Sequence, residues 1–187
     1  PGVGPHDVAL ALVGATYANG YVKNKVMEFV GPGVASLSAD CRNGIDCMTT
    51  ETTCWSSIWQ TDGVTEEYLA GHGRADAYKE LKPADVAYYD GCIELDLSKI
   101  ECMIALPMHP SYAYPIRELK ANAKDLLHEI ETRANEQLSG KVKMDLVSKV
   151  RADGSIYVDQ GIVAGCSGGT YENLCAVADI LRGKSCG

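Results

Sequence analysis

The sequence predicts an α/β fold, because short stretches with strand-like alternation are separated by longer stretches with helical spacing. Strands are expected near 25–30, 55–59, 92–97 and 156–164. Between these stretches, apolar residues recur every three or four positions, as they do along one face of a helix. With 187 residues, 46% of them apolar, the chain can bury a core as one large or two small domains.

The helical stretches carry start and stop signals. The first helix begins at Pro5, which suits a first helical turn, and ends at Gly20. A second, buried helix is expected over 41–54, although four threonines there lower the intrinsic helix propensity. Its helical spacing is kept by Cys41, Ile45, Met48 and Thr52. Further helices are expected over 62–69 and 123–138.

Charge and cysteine content exclude several classes of partner. The net charge is −8, with 25 acidic against 17 basic residues and no basic run, which argues against nucleic acid and anionic membrane as partners. No apolar run reaches transmembrane length, and the first residues do not resemble a signal peptide. None of the eight cysteines forms a Cys-x-x-Cys pair, which argues against a self-contained zinc knuckle. Because nothing suggests secretion, we expect reduced thiols in a cytoplasmic protein.

The most informative stretch surrounds Cys166. An alternating segment, 155–160, precedes it, and helical spacing begins again at Leu174. Cys166 is therefore expected on a tight turn between a strand and a helix, flanked by glycines 165, 168 and 169. A helix N-terminus beside the thiol favours the thiolate, which can bind a metal, an iron–sulfur cluster or an electrophile. The alternative is a small residue that only fills the turn.

Two segments together resemble the aconitase superfamily. The first is the glycine-rich turn of Cys166, followed by Tyr171, Glu172 and Asn173. The second joins the phrase Gly-Pro-Gly-Val-Ala-Ser-Leu-Ser at 31–38 to Cys-Met-Thr-Thr-Glu at 47–51. Two positions depart from the family pattern, because Gly168 and Cys47 stand where the family has asparagine. The Thr-Thr-Glu-Thr-Thr phrase is closer to a bacterial hydratase branch than to citrate aconitases.

The resemblance implies an aconitase-like three-layer α/β domain with a mixed or mostly parallel sheet. Residues 1–108 would form the second α/β domain of the family. Residues 109–187 would hold a crossing segment, a helical insertion and the first strand–turn–helix of the third domain. A proline cluster at 107–115 agrees with an irregular crossing there. On this interpretation the chain is an internal fragment of a longer enzyme.

The resemblance also implies a function for the longer protein. The family adds or removes water on hydroxycarboxylic acids, using a [4Fe–4S] cluster held by three cysteines. Cys166 matches the first of these cysteines, and Glu51 matches an active-site glutamate near the hydroxyl that leaves or adds. Cys166 and Glu51 are therefore expected to face one surface. The partners would be a small hydroxycarboxylate and the remaining domains of the polypeptide. With one matching cysteine, the fragment alone is expected to hold no cluster and to be inactive.

Two other functions remain open from the residues alone. A non-catalytic α/β module could bind a ligand at the glycine-rich turn, although no Gly-Lys-Ser/Thr sequence follows it as in a P-loop. A cysteine hydrolase could use Cys166 as its nucleophile, and it would need a histidine base. The candidates for that base are His6, His72, His109 and His128. For Glu51 the alternative is a solvated carboxylate at a helix end.

Overall fold

The computed structural model describes residues 2–185 and confirms the α/β class. Its helices are α1 (Pro5–Thr16), α2 (Ala39–Thr49), α3 (Gly63–Gly71), α4 (Ile116–Ala121), α5 (Ala123–Gln137), α6 (Gly165–Gly168) and α7 (Tyr171–Leu181). Its strands are β1 (Val26–Phe29), β2 (Ser56–Trp59), β3 (Met103–Ala105) and β4 (Ala113–Pro115). In this part of the chain no helix has the length and apolar composition needed to cross a bilayer.

The first two predicted strands are confirmed and form a parallel pair. Val26 lies opposite Ser56, and Phe29 lies opposite Trp59. Parallel strands need a crossover connection, and α2 supplies it here. The rings of Phe29 and Trp59 stack with centroids 4.1 Å apart, which closes one end of the pair. The segment from β1 to β2 is therefore one βαβ unit, and α2 lies in its middle.

A second, antiparallel pair was not predicted from the sequence. β3 and β4 are three residues each, too short for periodicity to reveal. They pack against α1: the Asp7 carboxylate accepts a hydrogen bond from the Met103 amide at 2.5 Å. Ala113 Cβ lies 3.5 Å from the point where a Cβ on Gly14 would stand. Helix α1 thus joins the βαβ unit to the β3–β4 pair.

Two groups of buried side chains form the core. One lies at α1 and α2, where Val13 and Ile45 have no exposed surface. The other lies at α5 and the segments around it, and consists of Leu106, Leu119, Leu127 and Ile130. The amphipathic helix predicted over 123–138 is confirmed as α5, whose apolar stripe builds this second group.

The strand predicted over 92–97 is wrong. That segment has no β-pairing and ends in the 3-10 turn Leu97–Lys99. The Tyr21 hydroxyl accepts a hydrogen bond from the Cys92 amide at 3.2 Å and donates one to the Cys92 carbonyl at 3.3 Å. The alternating pattern is real, but no strand of the described residues lies beside it to form a ladder.

The strand predicted over 156–164 is also wrong. Only Ile156 pairs, in an isolated antiparallel bridge to Val150. The Tyr157 amide donates to the Lys149 carbonyl at 2.8 Å, so this backbone pairing is local. Residues 157–164 continue without regular structure and are exposed. A sequence with strand alternation forms a strand only where the edge of a neighbouring strand supplies hydrogen bonds. Within residues 2–185 no strand edge pairs with this segment.

Candidate active site

Helix α2 and the turn after it carry the first candidate residue. The Ser38 hydroxyl caps α2 by accepting from the Cys41 amide at 3.1 Å. At the other end, Asp46 accepts from the Trp59 indole at 3.1 Å and from the Ser57 hydroxyl at 2.5 Å. These bonds fasten α2 to β2. The helix then tightens into a 3-10 turn over Thr50–Thr52, which contains Glu51.

Buried threonines fix the backbone on either side of Glu51. Thr49 is 3% exposed and Thr52 is fully buried, and the Thr52 hydroxyl donates to the Thr49 carbonyl at 2.6 Å. The Glu51 side chain is 44% exposed. The threonines that weaken helix propensity in the sequence are therefore satisfied by local hydrogen bonds, which favour the tight turn. A carboxylate on a rigid turn with one open side is suited to contact a ligand.

His109 is the side chain that faces Glu51. Its Nε2 lies 3.9 Å from a Glu51 carboxylate oxygen, and its ring stacks on Tyr17 at 4.1 Å between centroids. The Ser111 amide donates to His109 Nδ1 at 3.1 Å, so Nδ1 acts as an acceptor. In a neutral imidazole the proton must then lie on Nε2, the nitrogen that faces Glu51. No sequence pattern indicates this pairing, because 58 positions separate Glu51 from His109.

Cys166 lies in the one-turn helix α6 rather than on a bare turn, which corrects the predicted local structure. Gly165 precedes it with φ +84°, which favours glycine, and the turn is too tight for a side chain at Gly169. A Cβ at Gly169 would stand 2.7 Å from the Gly165 carbonyl oxygen. The helix after the turn is confirmed as α7, and the Cys166 side chain remains exposed.

Hydrogen bonds hold α6 against both α1 and α7. His6 Nε2 and the Ser167 hydroxyl are 2.9 Å apart, and the Asn173 amide group donates to the Ser167 carbonyl at 2.9 Å. A Cβ at Gly168 would stand 3.5 Å from the His6 ring. His6 therefore occupies the space beside the position where the family has asparagine. Of the four histidines weighed as a base for Cys166, His6 comes to this turn, but its partner is Ser167.

Cys47 is the side chain that meets Cys166. The Cys166 thiol lies near enough to raise the pKa of the Cys47 thiol, although 119 positions separate the two in the sequence. The pKa of Cys47 is raised by its burial, then by the Cys166 thiol and by the charge of Asp46. Cys47 precedes Glu51 by four positions, one helical turn along α2 and its 3-10 continuation. Cys166 thus contacts the ridge of α2 that continues to Glu51.

Helix α7 docks on the start of α2. The Ser38 hydroxyl donates to the Glu172 carboxylate at 2.6 Å, and the Glu172 amide donates to Asp40 at 3.0 Å. Burial raises the pKa of the nearby Cys41 thiol, and the Glu172 charge raises it further. The segment that carries Cys166 is therefore anchored to α2 at two places, through α6 and through the start of α7.

The site can supply only part of a metal centre. Thiolates are the ligands that iron–sulfur clusters use, so an exposed Cys166 is a suitable donor. Within residues 2–185, however, no three His, Cys, Asp or Glu side chains are grouped to hold a metal ion. The seven cysteines described there are all free, and Cys186 lies outside the described residues. The thiol side of the site therefore fits a cluster that takes its other ligands from elsewhere.

Comparisons with known proteins identify the class to which this α/β fold and cysteine site belong. The sequence pattern of the aconitase family (aconitate hydratase) matches residues 1–187, so the chain belongs to the aconitase family. The predicted resemblance is thereby confirmed.

Individual relatives are dehydratase large subunits. The chain is 29% identical over 178 residues to the 2,3-dimethylmalate dehydratase large subunit of Eubacterium barkeri, covering 95% of this chain and 34% of that one. It is 28% identical to the 3-isopropylmalate dehydratase large subunit of Caldicellulosiruptor bescii, covering 95% and 33%. It is 27% identical to that of Moorella thermoacetica, covering 98% and 35%. The chain thus spans about a third of the length of these relatives.

Proposed function

We propose that the protein containing this chain is a hydro-lyase that adds or removes water on a small hydroxycarboxylic acid. The observation that carries the proposal is the aconitase-family match over residues 1–187. It favours this reaction over the binding module and the cysteine hydrolase. The named relatives act on substituted malates, and we propose the same chemical class of substrate here. The remaining domains of the polypeptide would complete the site, in a cytoplasmic enzyme.

We propose Cys166 as one ligand of a [4Fe–4S] cluster in the longer protein. The exposed thiol on α6 fits that role, and the other ligands would come from outside residues 1–187. When bound, the cluster would supply a Lewis-acidic iron for the hydroxyl and carboxylate of the substrate. The tight backbone at Gly165 and Gly169 and the Ser167–His6 bond would hold the thiol in place.

We propose Glu51 as an acid–base group on the hydroxyl side of the reaction. Proton transfer by a positioned carboxylate is a usual contribution to such chemistry. The buried Thr49 and Thr52 fix its backbone, and His109 Nε2–H faces its carboxylate. In this arrangement His109 holds a proton beside the Glu51 carboxylate. Glu51 itself stays open to solvent on its other side, where a substrate could approach.

Iron content of the longer protein tests the proposal. Cys166→Ser should lower bound iron severalfold and abolish dehydratase activity on substituted malates, because a serine hydroxyl replaces a cluster thiolate. Cys175→Ser is the matched control, since Cys175 lies inside α7 and is also exposed. It should leave both measurements unchanged. Normal iron loading of the Cys166→Ser protein would contradict the assignment.

A further inference from the structure

The thiols of Cys47 and Cys166 form a pair across the α2–α6 contact. Gly44 faces α6 closely, because a Cβ there would stand 3.6 Å from the Ser167 carbonyl oxygen. Cys47 follows Gly44 by three positions and so lies on the same face of α2. Cys166 immediately precedes Ser167. Backbone placement therefore brings the two cysteines to the same α2–α6 contact, and the influence of the Cys166 thiol on the pKa of Cys47 agrees with this.

We propose that Cys47 and Cys166 form a site of reversible oxidation, in which hydrogen peroxide converts the pair to an intramolecular disulfide. Both thiols are free, Cys166 is exposed and Cys47 is half-buried. A reagent from solvent therefore meets Cys166 first. Cys47 stands behind it as the resolving thiol, an arrangement typical of oxidation-sensitive cysteines.

The step balances without any group beyond the two cysteines and the peroxide. The sulfur of Cys166 attacks the O–O bond, becomes a sulfenic acid and releases one water. The sulfur of Cys47 then attacks the sulfenic sulfur, forms the S–S bond and releases a second water. The two thiols lose two electrons in total, and the peroxide takes them. A thiol reductant such as dithiothreitol reverses the change.

The surrounding contacts favour closure of this bond. A disulfide requires sulfur atoms about 2.05 Å apart. The two thiols are neighbours across the α2–α6 contact, and the Ser167–His6 and Asn173–Ser167 bonds hold α6 in place against α1 and α7. The exposed Cys175 is a contrasting case, since its thiol lies beside the Tyr171 hydroxyl and raises the pKa of that group.

The consequence for the enzyme rests on the proposed function. A disulfide would remove the Cys166 thiolate from the set available to a cluster. The oxidised protein should then fail to take up iron until it is reduced. The disulfide itself requires only the two thiols, so it can be tested without reference to iron.

Peptide mapping of the full-length protein tests the disulfide. The reduced protein is freed of metal with a chelator, treated with an equimolar amount of hydrogen peroxide, alkylated and digested with trypsin. We expect a cross-link between peptides 43–74 and 152–182 that disappears on treatment with dithiothreitol. Each peptide holds a second cysteine, Cys54 or Cys175, so variants must assign the bond.

Replacing each of the four cysteines in these peptides shows which two form the cross-link. Cys47→Ser and Cys166→Ser should each abolish the cross-link, whereas Cys54→Ser and Cys175→Ser should retain it. Cys47→Ala is a second test at the half-buried position, and circular dichroism checks that each variant is folded. Absence of the cross-link in folded wild-type protein would overturn the proposal. So would its persistence in a folded variant that lacks the Cys47 thiol.

Iron loading separates this inference from the proposed function. If reduced protein binds iron and peroxide-treated protein does not, both proposals gain support. If the disulfide forms but the reduced protein takes up no iron, the proposed function fails and the disulfide stands. If iron loads equally into protein that carries the Cys47–Cys166 disulfide, Cys166 is not a required ligand.

Discussion

His109 connects parts of the chain that sequence patterns treat separately. Its Nδ1 accepts from the Ser111 amide, its ring stacks on Tyr17, and its Nε2 faces Glu51 at 3.9 Å. This distance is longer than a hydrogen bond, so His109 Nε2 and the Glu51 carboxylate face each other without bonding. A small shift of the Glu51 carboxylate would complete the bond without moving the imidazole.

The proton on neutral His109 is expected at Nε2. The Ser111 amide can only donate, and it occupies Nδ1, which leaves Nε2 to carry the hydrogen. Two-bond proton–nitrogen NMR correlations of the imidazole at a pH above its titration report the tautomer directly. His128, which lies on α5 away from the site, serves as the reference ring in the same spectrum. A dominant Nδ1–H form of His109 would contradict the hydrogen bond from the Ser111 amide to Nδ1.

The packing of α2 depends on a glycine at its closest approach to α1. A Cβ at Gly44 would stand 2.8 Å from Pro5 Cβ and 3.0 Å from its Cγ, and the proline ring cannot rotate away. The contact explains why a helix that carries the site has glycine in its middle. It also shows that α1, α2 and α6 meet around one position, since Ser167 lies nearby.

Gly44→Ala should lower the free energy of unfolding by about 1 kcal/mol. Overpacking costs about 1–3 kcal/mol, and the gain in helix propensity from glycine to alanine returns about 1 kcal/mol. Gly71→Ala in α3 is the matched control, because nothing lies within 4 Å of its Cβ position. It should raise stability by about 0.5 kcal/mol. Urea denaturation measures both, and a stabilised Gly44→Ala protein would refute the close contact.

A buried ion pair ties α2 to α3. The Arg42 guanidinium, 6% exposed, donates to both Asp62 oxygens at 2.9 and 2.7 Å, and also to the Val34 carbonyl. Asp62 caps α3 by accepting from the Val64 amide at 3.1 Å. The hydrogen bond from Arg42 lowers the pKa of Asp62, although burial opposes the shift. One carboxylate thus serves as both helix cap and counter-ion.

Asp62→Asn should lower stability by about 3 kcal/mol, because it leaves a buried guanidinium without its anion. The pKa of Asp62 is lower in the folded state, so its contribution is present above about pH 4, where unfolded aspartate ionises. It is lost as the pH falls through the depressed value. The variant should therefore show a weaker acid dependence in urea unfolding. Glu80→Gln, which breaks an exposed pair with Lys82, should change stability by less than about 0.5 kcal/mol.

Contacts cross the predicted division between residues 108 and 109. The Tyr17–His109 stack and the His6–Ser167 bond link α1 and its C-cap residue to residues beyond 108. Residues on the two sides of the predicted division therefore contact each other directly. The division into two domains stays a prediction, but these links favour folding as one cooperative unit.

Ile130→Ala should shift the unfolding of the whole chain. Ile45 and Ile130 are each fully buried, in different parts of the core, and either truncation should cost about 2–5 kcal/mol. The two tryptophans lie near β2, far along the chain from α5. Their fluorescence transition should nevertheless move with the circular dichroism transition in Ile130→Ala. A fluorescence midpoint that stays at the wild-type value would show that the parts unfold independently.

Local sequence determined the elements whose partners lie nearby. The βαβ unit, α5 and α7 were all predictable, because their alternation or helical spacing is satisfied within a short stretch of chain. Family membership was predictable as well, since it depends on motifs in order along the sequence. The assignment of Glu51 and Cys166 as site residues came from that resemblance and stays a prediction.

Tertiary structure alone decided which side chains meet. The same alternation that forms β1 forms no strand at 92–97 or 156–164, because no neighbouring edge accepts their backbone hydrogen bonds there. The Cys47–Cys166 and Glu51–His109 contacts join distant positions through the packing of α2 against α6 and of α1 against the loop after β3. Periodicity records only which face of an element is apolar, whereas a site depends on which faces pack together.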